Sequence, residues 1–362
     1  MRILGIESSC DETSAAVVED GKRLISLVTA SSMDLQAVYG GVVPEIAARS
    51  HMEAINPVIE QAVTEVRSNL QPGDGWDEID AIAVTYGAGL GGSLLVGVMA
   101  ARTLAITKNK PLYAINHVAA HIYANFITGA SDALAPDYKL PTSAPEFPIL
   151  GLIVSGGHSQ LVLWRGHFDY TLLGQTHDDA IGEAFDKVAK ILGLPYPGGP
   201  SLSKKALSGN SHAFTFPKAK MPGKYDYSFS GPKTAVLRAA QQLIGEGHEF
   251  PSYRLSERLS EAQKADIAAS FQRIAVETVV DKTITAFEEF QPKSVVIGGG
   301  VAASTELRKQ LADRLTIPIQ YTDMKLCTDN GAMIATLGYY HASLNQPSAD
   351  PYSLDIAPNL SM

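Results

Sequence analysis

Arg2-Ile-Leu-Gly-Ile-Glu7, followed by Ser8-Ser9-Cys10-Asp11-Glu12-Thr13, returns in altered form as Ile149-Leu-Gly-Leu-Ile-Val154, followed by Ser155-Gly156-Gly157-His158-Ser159. Each apolar run has strand length, and each ends in small and polar residues that break the pattern. After the first turn, Ser14-Ala-Ala-Val-Val18 and Arg23-Leu-Ile-Ser-Leu-Val28 read as two further strands. After the second, Gln160-Leu-Val-Leu-Trp164 and Tyr170-Thr-Leu-Leu173 repeat the scheme. Turns of this composition let backbone N–H groups approach an anionic ligand closely. Residues 2–29 and 149–176 therefore carry one pattern written twice.

Both copies continue as helix, strand and helix. In the first, Glu53 to Val66 is amphipathic, Ile79 to Thr85 is a strand, and Gly91 to Ile106 reads as a buried helix. In the second, Asp179 to Leu192 and Ser260 to Phe290 are helical and Ser294-Val-Val-Ile297 is a strand. Ile297-Gly298-Gly299-Gly300-Val301 then leads into a helix, and such a glycine run lets a flat base or ribose lie against the backbone. Two such halves describe an α/β fold of the actin/hexokinase/Hsp70-like (ASKHA) type, duplicated and two-domain, with a nucleotide cleft between the lobes. The expected boundaries are 1–115 for the first lobe, completed by the 328–343 helix, and 116–327 for the second. Pro-rich residues 129–148 read as a loop between domains, and 344–362, rich in Pro, Ser and Asn, as a poorly ordered tail.

The 362 residues, 45% hydrophobic and 19% charged, have an ordinary globular balance and enough length for two cores. Glu7 interrupts the N-terminal apolar run too early for a secretory leader, and Arg102 sits inside Leu90 to Ile106, so no membrane span is expected. Cys10 and Cys327 are too few for a disulfide framework, which points to a reducing, cytoplasmic setting. A net charge of −9 argues against binding nucleic acid through bulk charge.

A second signal is Asn116-His117-Val118-Ala119-Ala120-His121, behind the strand-like Pro111 to Ile115. On a helix, residues four apart share a face, and Asn116 is suited to cap its start. Two neutral imidazoles so placed can hold a divalent transition metal, although spacing alone more often describes ordinary polar residues at a helix start. Val118 stands where zinc proteases carry a glutamate base.

Gly5-Ile-Glu-Ser-Ser-Cys-Asp-Glu-Thr13, Tyr39-Gly-Gly-Val-Val-Pro-Glu45, His117-x3-His121 and Val154-Ser-Gly-Gly-His158 form one set of motifs. Gly182-Glu-Ala-Phe-Asp-Lys187, Tyr196-Pro-Gly-Gly-Pro200 and Cys327-Thr-Asp-Asn-Gly331 continue it. Together they closely resemble the TsaD family of bacterial tRNA threonylcarbamoyladenosine transferases, from Met1 to about Tyr340. The resemblance implies transfer of threonylcarbamoyl from threonylcarbamoyl-AMP to N6 of the adenosine 3′ of the anticodon in tRNAs reading ANN codons. It implies one divalent metal, iron ahead of zinc, on His117, His121 and Asp329. It places the donor along Ile153, Val154, Ser155, Gly156 and Gly157, with Asp186 and Gly199 at the nucleotide; an ATP- or ADP-type nucleotide can occupy the same site. Ser304 takes the position where the family usually has Asn, and serine offers one hydroxyl in place of an amide. Asp11 and Glu12 are candidates for the base, Glu12 ahead of Asp11. A plain reading of Asp329 is a helix N-cap, and of Asp186 a solvated helical carboxylate. Implied partners are tRNA, a TsaB-like paralogue, a TsaE-like ATPase and the threonylcarbamoyl-AMP synthase. Helix faces within 30–70 are candidates for the protein contact.

For tRNA the local clue is 187–238, where nine Lys and Arg stand against Asp226 alone, +8, with Phe214, Phe216, Tyr225, Tyr227 and Phe229 interleaved. That mixture suits phosphates and an unstacked base, and equally a solvated basic loop over core aromatics. The rival readings are an ASKHA-type ATP-dependent kinase, which the His pair fits poorly, a metallopeptidase, which lacks its base, and a non-catalytic scaffold, which the intact His117, His121 and Asp329 disfavour.

Overall fold

The computed structural model describes residues 1–66 and 75–362. The chain divides into two compact units, Met1–Pro145 with Gln320–Met362, and Glu146–Ile319. The expected boundary at 115/116 thus lies at 145/146, and both histidines belong to the first unit. The reason is local: the strand before His117 pairs into the first sheet, and the histidine helix packs within the same unit.

In the first unit β1 (Arg2–Glu7), β2 (Glu12–Glu19) and β3 (Arg23–Ser31) form an antiparallel meander. Helices α1 (Met33–Tyr39) and α2 (Pro44–Thr64) follow, then β4 (Ala81–Gly87), α3 (Gly91–Lys108) and β5 (Leu112–Asn116). The short helix α4 (His117–Tyr123) and strand β6 (Gly129–Ala130) complete this part, in the sheet order β5-β4-β1-β2-β3-β6. In the second unit β7 (Ile149–Val154), β8 (Ser159–Gly166) and β9 (Asp169–Gln175) repeat the meander. Helices α5 (Ile181–Ile191), α6 (Gly198–Ala206), α7 (Ser230–Leu243), α8 (Leu255–Arg258) and α9 (Glu261–Phe290) precede β10 (Ser294–Gly298). Then come α10 (Thr305–Arg314) and β11 (Ile319–Gln320), and the order is β11-β10-β7-β8-β9. In both sheets the opening strand is central, with its hairpin partner on one side and a later parallel strand on the other. The duplicated ASKHA pattern read from the sequence is therefore present strand for strand.

The chain returns to the first unit as α11 (Gly331–Ser343). Strand alternation sends Leu4 and Ile6 into the core under α2 and α3, while Ile3 and Gly5 face α11. A Cβ on Gly5 would stand 2.1 Å from the Gly331 carbonyl oxygen and 2.4 Å from the Ala335 nitrogen, so helix and sheet meet backbone to backbone.

Two expectations are corrected. Helix α3 is not buried all round: Leu95 and Met99 lie on its exposed side and, with Met52 and Ile55 of α2, line a largely apolar groove of about 900 Å³. Residues 344–362 are not a loose tail. The Arg102 guanidinium donates to the carbonyls of Pro351 (2.6 Å), Tyr352 (2.7 Å) and Leu354 (3.1 Å), and Leu354 and Ile356 pack on the core. Ala357 N–H donates to the Tyr86 carbonyl at 2.7 Å, and the Asn116 amide donates to the Ser361 carbonyl at 3.1 Å. A cation inside an apolar helix, unexplained by the helix itself, is what holds this segment down.

Two outcomes follow from α11. Gly5→Ala forces the helix off the sheet and costs about 2–3 kcal/mol, measured as a lower unfolding midpoint. Burial holds the His341 imidazole down at about 4, against about 6.5 when unfolded. Below pH 6.5 the unfolded chain therefore binds the proton and the native chain does not, so stability falls as pH drops from about 6.5 to 4. His341→Phe flattens that part of the midpoint-versus-pH curve.

Candidate functional site

Residue Glu7 ends β1 fully buried. Its Oε1 accepts from the Ser9 N–H at 2.5 Å, and its Oε2 accepts from the Thr85 hydroxyl at 2.6 Å and lies 3.0 Å from His117 Nδ1. Burial alone would push this carboxyl up, but the His117 charge and the hydrogen bonds from His117, Thr85 and Ser9 hold it below the usual carboxylate range. A carboxylate only accepts, so His117 carries a proton on Nδ1 and turns Nε2 the other way.

That Nε2 stands 3.5 Å from Asp329 Oδ1, and His121 Nε2 stands 3.5 Å from the same oxygen. Asn116 makes the placement possible by capping α4, its carbonyl oxygen accepting from Val118 N–H at 2.8 Å and Ala119 N–H at 3.2 Å. Asp329 is not the cap of α11. Asn330 is, accepting from Met333 N–H at 3.1 Å, and the Asp329 carboxylate faces the histidines instead. The three candidate ligand atoms all lie within 4.8 Å of one another. Two donors each about 2.1 Å from a shared ion at the tetrahedral angle stand roughly 3.4 Å apart, close to the spacing seen.

The electrostatics fit a cation. Burial is the largest cause raising Asp329 to about 6, against the pull of His117 and with the repulsion of Glu7 and Asp11. Burial, then the charges of Asp329 and Asp11, push Glu12 up to about 10. Burial opposes a charged His117, yet Asp329 and Glu7 draw it up to about 9, so a proton and a metal compete for Nε2. Carboxylates outnumber the cations here, which is the imbalance a divalent ion relieves.

Asp11 and Glu12 sit on a turn pinned by its carbonyls. The Ser9 carbonyl accepts from Leu90 N–H at 2.8 Å, and the Asp11 carbonyl from Ser32 N–H at 3.0 Å and Ser32 Oγ at 2.9 Å. The Cys10 carbonyl lies 3.0 Å from His51 Nε2, and His51 Nδ1 lies 2.7 Å from Thr13 Oγ1. Burial keeps the His51 pKa below its usual value, hence neutral. A carbonyl can only accept, so Nε2 carries the hydrogen, Nδ1 accepts, and the Thr13 hydroxyl donates. Sequence reading passed over both Glu7 and His51. The one available signal was a charged residue closing an otherwise apolar strand.

In the second unit Ile153 to Gly157 form the end of β7 and the turn after it. The Ser155 N–H donates to the His158 carbonyl at 2.8 Å, and Ser155 Oγ accepts from His158 N–H at 3.1 Å. Gly182, at the start of α5, and Gly299, with φ +90°, pack against this turn: Cβ atoms there would meet the Ser155 carbonyl oxygen at 2.6 Å and the Val154 carbonyl oxygen at 2.4 Å. Ile153 and Val154 are buried strand residues beneath it. Asp186 Oδ1 accepts from Gly198 N–H at 2.7 Å, whereas Gly199 faces open space. Ser304 caps α10, its hydroxyl accepting from Leu307 N–H at 3.3 Å.

The basic segment is corrected. Lys218 pairs with Glu277 and Asp281, Lys224 with Glu289 and Lys205 with Glu261, acids supplied by α9. Phe216, Tyr225, Tyr227 and Phe229 are buried. Part of the charge excess in sequence is compensated in space, and these four rings are core. For the turn, His51→Ala leaves the buried Thr13 hydroxyl unsatisfied and the Cys10 carbonyl with only the Ser93 hydroxyl at 3.3 Å, costs about 1–3 kcal/mol and speeds amide exchange across 9–13. Unchanged exchange there would remove His51 from this role.

Comparison with known proteins shows the family. A model of the TsaD family, tRNA N6-adenosine threonylcarbamoyltransferase, matches residues 23–336. The tRNA N6-adenosine threonylcarbamoyltransferase of Thermomicrobium roseum is 48% identical, over 94% of this chain and 92% of that one. That of Dehalococcoides mccartyi is 46% identical, over 100% and 99%. Among solved structures, HypF from T. kodakarensis superposes with a TM-score of 0.58 at 14% identity, covering 94% of this chain and 48% of HypF, a likeness of fold alone. Among the described residues no helix is long and apolar enough to cross a membrane. The chain belongs to the TsaD family, the tRNA N6-adenosine threonylcarbamoyltransferases.

Proposed function

We propose that this protein transfers threonylcarbamoyl from threonylcarbamoyl-AMP to N6 of the adenosine just 3′ of the anticodon in tRNAs reading ANN codons. The observation that carries the reading is the meeting of His117, His121 and Asp329, with Glu7 behind the first histidine, in a chain of this family. One divalent ion, iron ahead of zinc, is assigned to those three side chains; when bound it supplies Lewis-acid polarisation of the donor's oxygens. Glu7 keeps the His117 ring oriented with Nε2 toward Asp329, the usual service of a carboxylate behind a ligand histidine.

Transfer joins N6 to the carbamoyl carbon, breaks the bond to AMP, and releases one proton from the amine. We assign that proton to Glu12, with Asp11 beside it. Burial, then the charges of Asp329 and Asp11, hold Glu12 up at about 10, so it accepts the proton only after losing its own, which a cation beside Asp329 would favour. The Ser155 N–H is committed to His158, so Gly156 and Gly157 N–H are the donors assigned to charge developing on the carbonyl oxygen. Asp186, whose Oδ1 accepts from Gly198 N–H, is assigned to the ribose; Gly199 leaves the room the nucleotide needs. Ser304 is assigned to the adenosine end through its hydroxyl donor, since its acceptor serves α10.

The cytoplasm, a TsaB-like paralogue, a TsaE-like ATPase and a threonylcarbamoyl-AMP synthase complete the proposal. The apolar α2–α3 groove supports placing the paralogue's contact there, on the described part of the 30–70 faces; residues 67–70 lie outside it.

His117→Ala with His121→Ala abolishes bound metal and threonylcarbamoyladenosine, read by metal analysis and nucleoside mass spectrometry, with the unfolding transition retained. Glu7→Gln lowers metal affinity about 10–100-fold. Full transfer by the metal-free double variant would defeat the proposal.

A further inference from the structure

Lys218 and Lys224 are paired with acids of α9, and a second group of lysines lies on α5 and α7. A pocket of about 220 Å³ opens between α5 and α7 in the second unit, where Lys187, Lys190, Lys233, Thr234, Ser252 and Tyr253 line it together with the aliphatic Ile191 and Leu237. Lys187 and Lys190 lie three residues apart on α5 and so share a face. Asp179 holds the two sides together: Oδ1 accepts from Lys187 Nζ and Oδ2 from Lys233 Nζ, both at 2.6 Å. Lys187 also pairs with Glu183 at 2.7 Å. An ammonium has three donors, so neither lysine is exhausted by these pairs. No carboxylate among the described residues pairs with Lys190, which is exposed. Three ammonium groups thus meet two carboxylates.

The pocket's mouth is aromatic as well as basic. Tyr253 is 75% exposed and Arg254 follows it, while Arg254 and Arg258 lie over the Phe250 ring at 5.9 and 5.7 Å, Arg258 also pairing with Glu246 at 3.5 Å. The volume falls below the roughly 300 Å³ at which pockets enclose a whole small ligand. It suits a charged group that enters while the rest of its molecule stays outside, as a backbone phosphate does.

We propose that this pocket is an RNA subsite, in which a backbone phosphate rests on Lys187, Lys190 and Lys233 and a neighbouring unpaired base stacks on Tyr253. The proposal rests on the reading that the acceptor is tRNA, and adds where the chain grips it. Lysines act here as point charges and give no sequence preference, while a tyrosine face accepts any base.

The test is binding of an unmodified tRNA transcript with an ANN-reading anticodon to the full chain at a series of KCl concentrations. Lys190→Glu raises Kd about tenfold and reduces the slope of log affinity against log salt by about one. Tyr253→Ala raises Kd at least about fivefold and leaves that slope unchanged, because stacking releases no counterions. Lys190→Gln, checked by its unfolding transition, separates loss of the charge from misfolding and gives a smaller shift of the same sign. Wild-type Kd and slope in both Lys190→Glu and Tyr253→Ala would overturn the subsite, as would saturation by inorganic phosphate with no effect on tRNA binding. Loss of a protein partner with tRNA binding intact would also overturn it. Wild-type protein that binds tRNA but yields no threonylcarbamoyladenosine with donor and partners would instead sink the reading it rests on.

Discussion

The hydrogen bond between Glu7 and His117 is the interaction on which the first unit's chemistry depends. A fully buried carboxylate is costly, and here Ser9, Thr85 and His117 together satisfy it. Those same bonds fix three separate elements around β1: the turn behind it, the neighbouring strand β4, and the first residue of α4. The ring orientation of His117 follows from the stabilisation of Glu7. Removing His117 leaves Glu7 with Ser9 and Thr85 alone, and removing Glu7 leaves His117 Nδ1 with the Ser9 hydroxyl at 3.2 Å.

Small residues supply the second constraint. Gly5, Gly331 and Gly338 let α11 lie directly on the sheet, and α11 carries Asp329 just ahead of its first turn. The carboxylate's position is thus set by how closely a helix can approach a strand, a matter of Cβ atoms that are absent. Asn330 takes over the capping duty and leaves its neighbour available for the histidines.

Much of this was legible in the residues. The two hairpins declared themselves because strand alternation and small polar turns are local properties, and their register in both sheets is the one the repeat implies. The His117–His121 pair and the Asn116 cap were equally local. What stayed hidden depends on distant partners. Glu7 looked like an interruption in an apolar run, since nothing nearby in sequence announces Thr85 or His117. The lysines of 187–238 looked like a basic face because the acids that neutralise three of them lie on α9, more than fifty residues away. Residues 344–362 looked disordered by composition, and one arginine on α3 proves enough to order much of them.

That ordered segment has a bearing on how the protein is made. Synthesis runs from N- to C-terminus, so α4 emerges with both imidazoles long before Asp329, and the Ser361 carbonyl that holds the Asn116 amide arrives later still. The whole second unit is translated in between and can fold while the first waits for its closing helix. A ribosome stalled between Ile319 and Asp329 therefore leaves two histidines without their carboxylate, and quality control meets an unfinished first unit beside a finished second one.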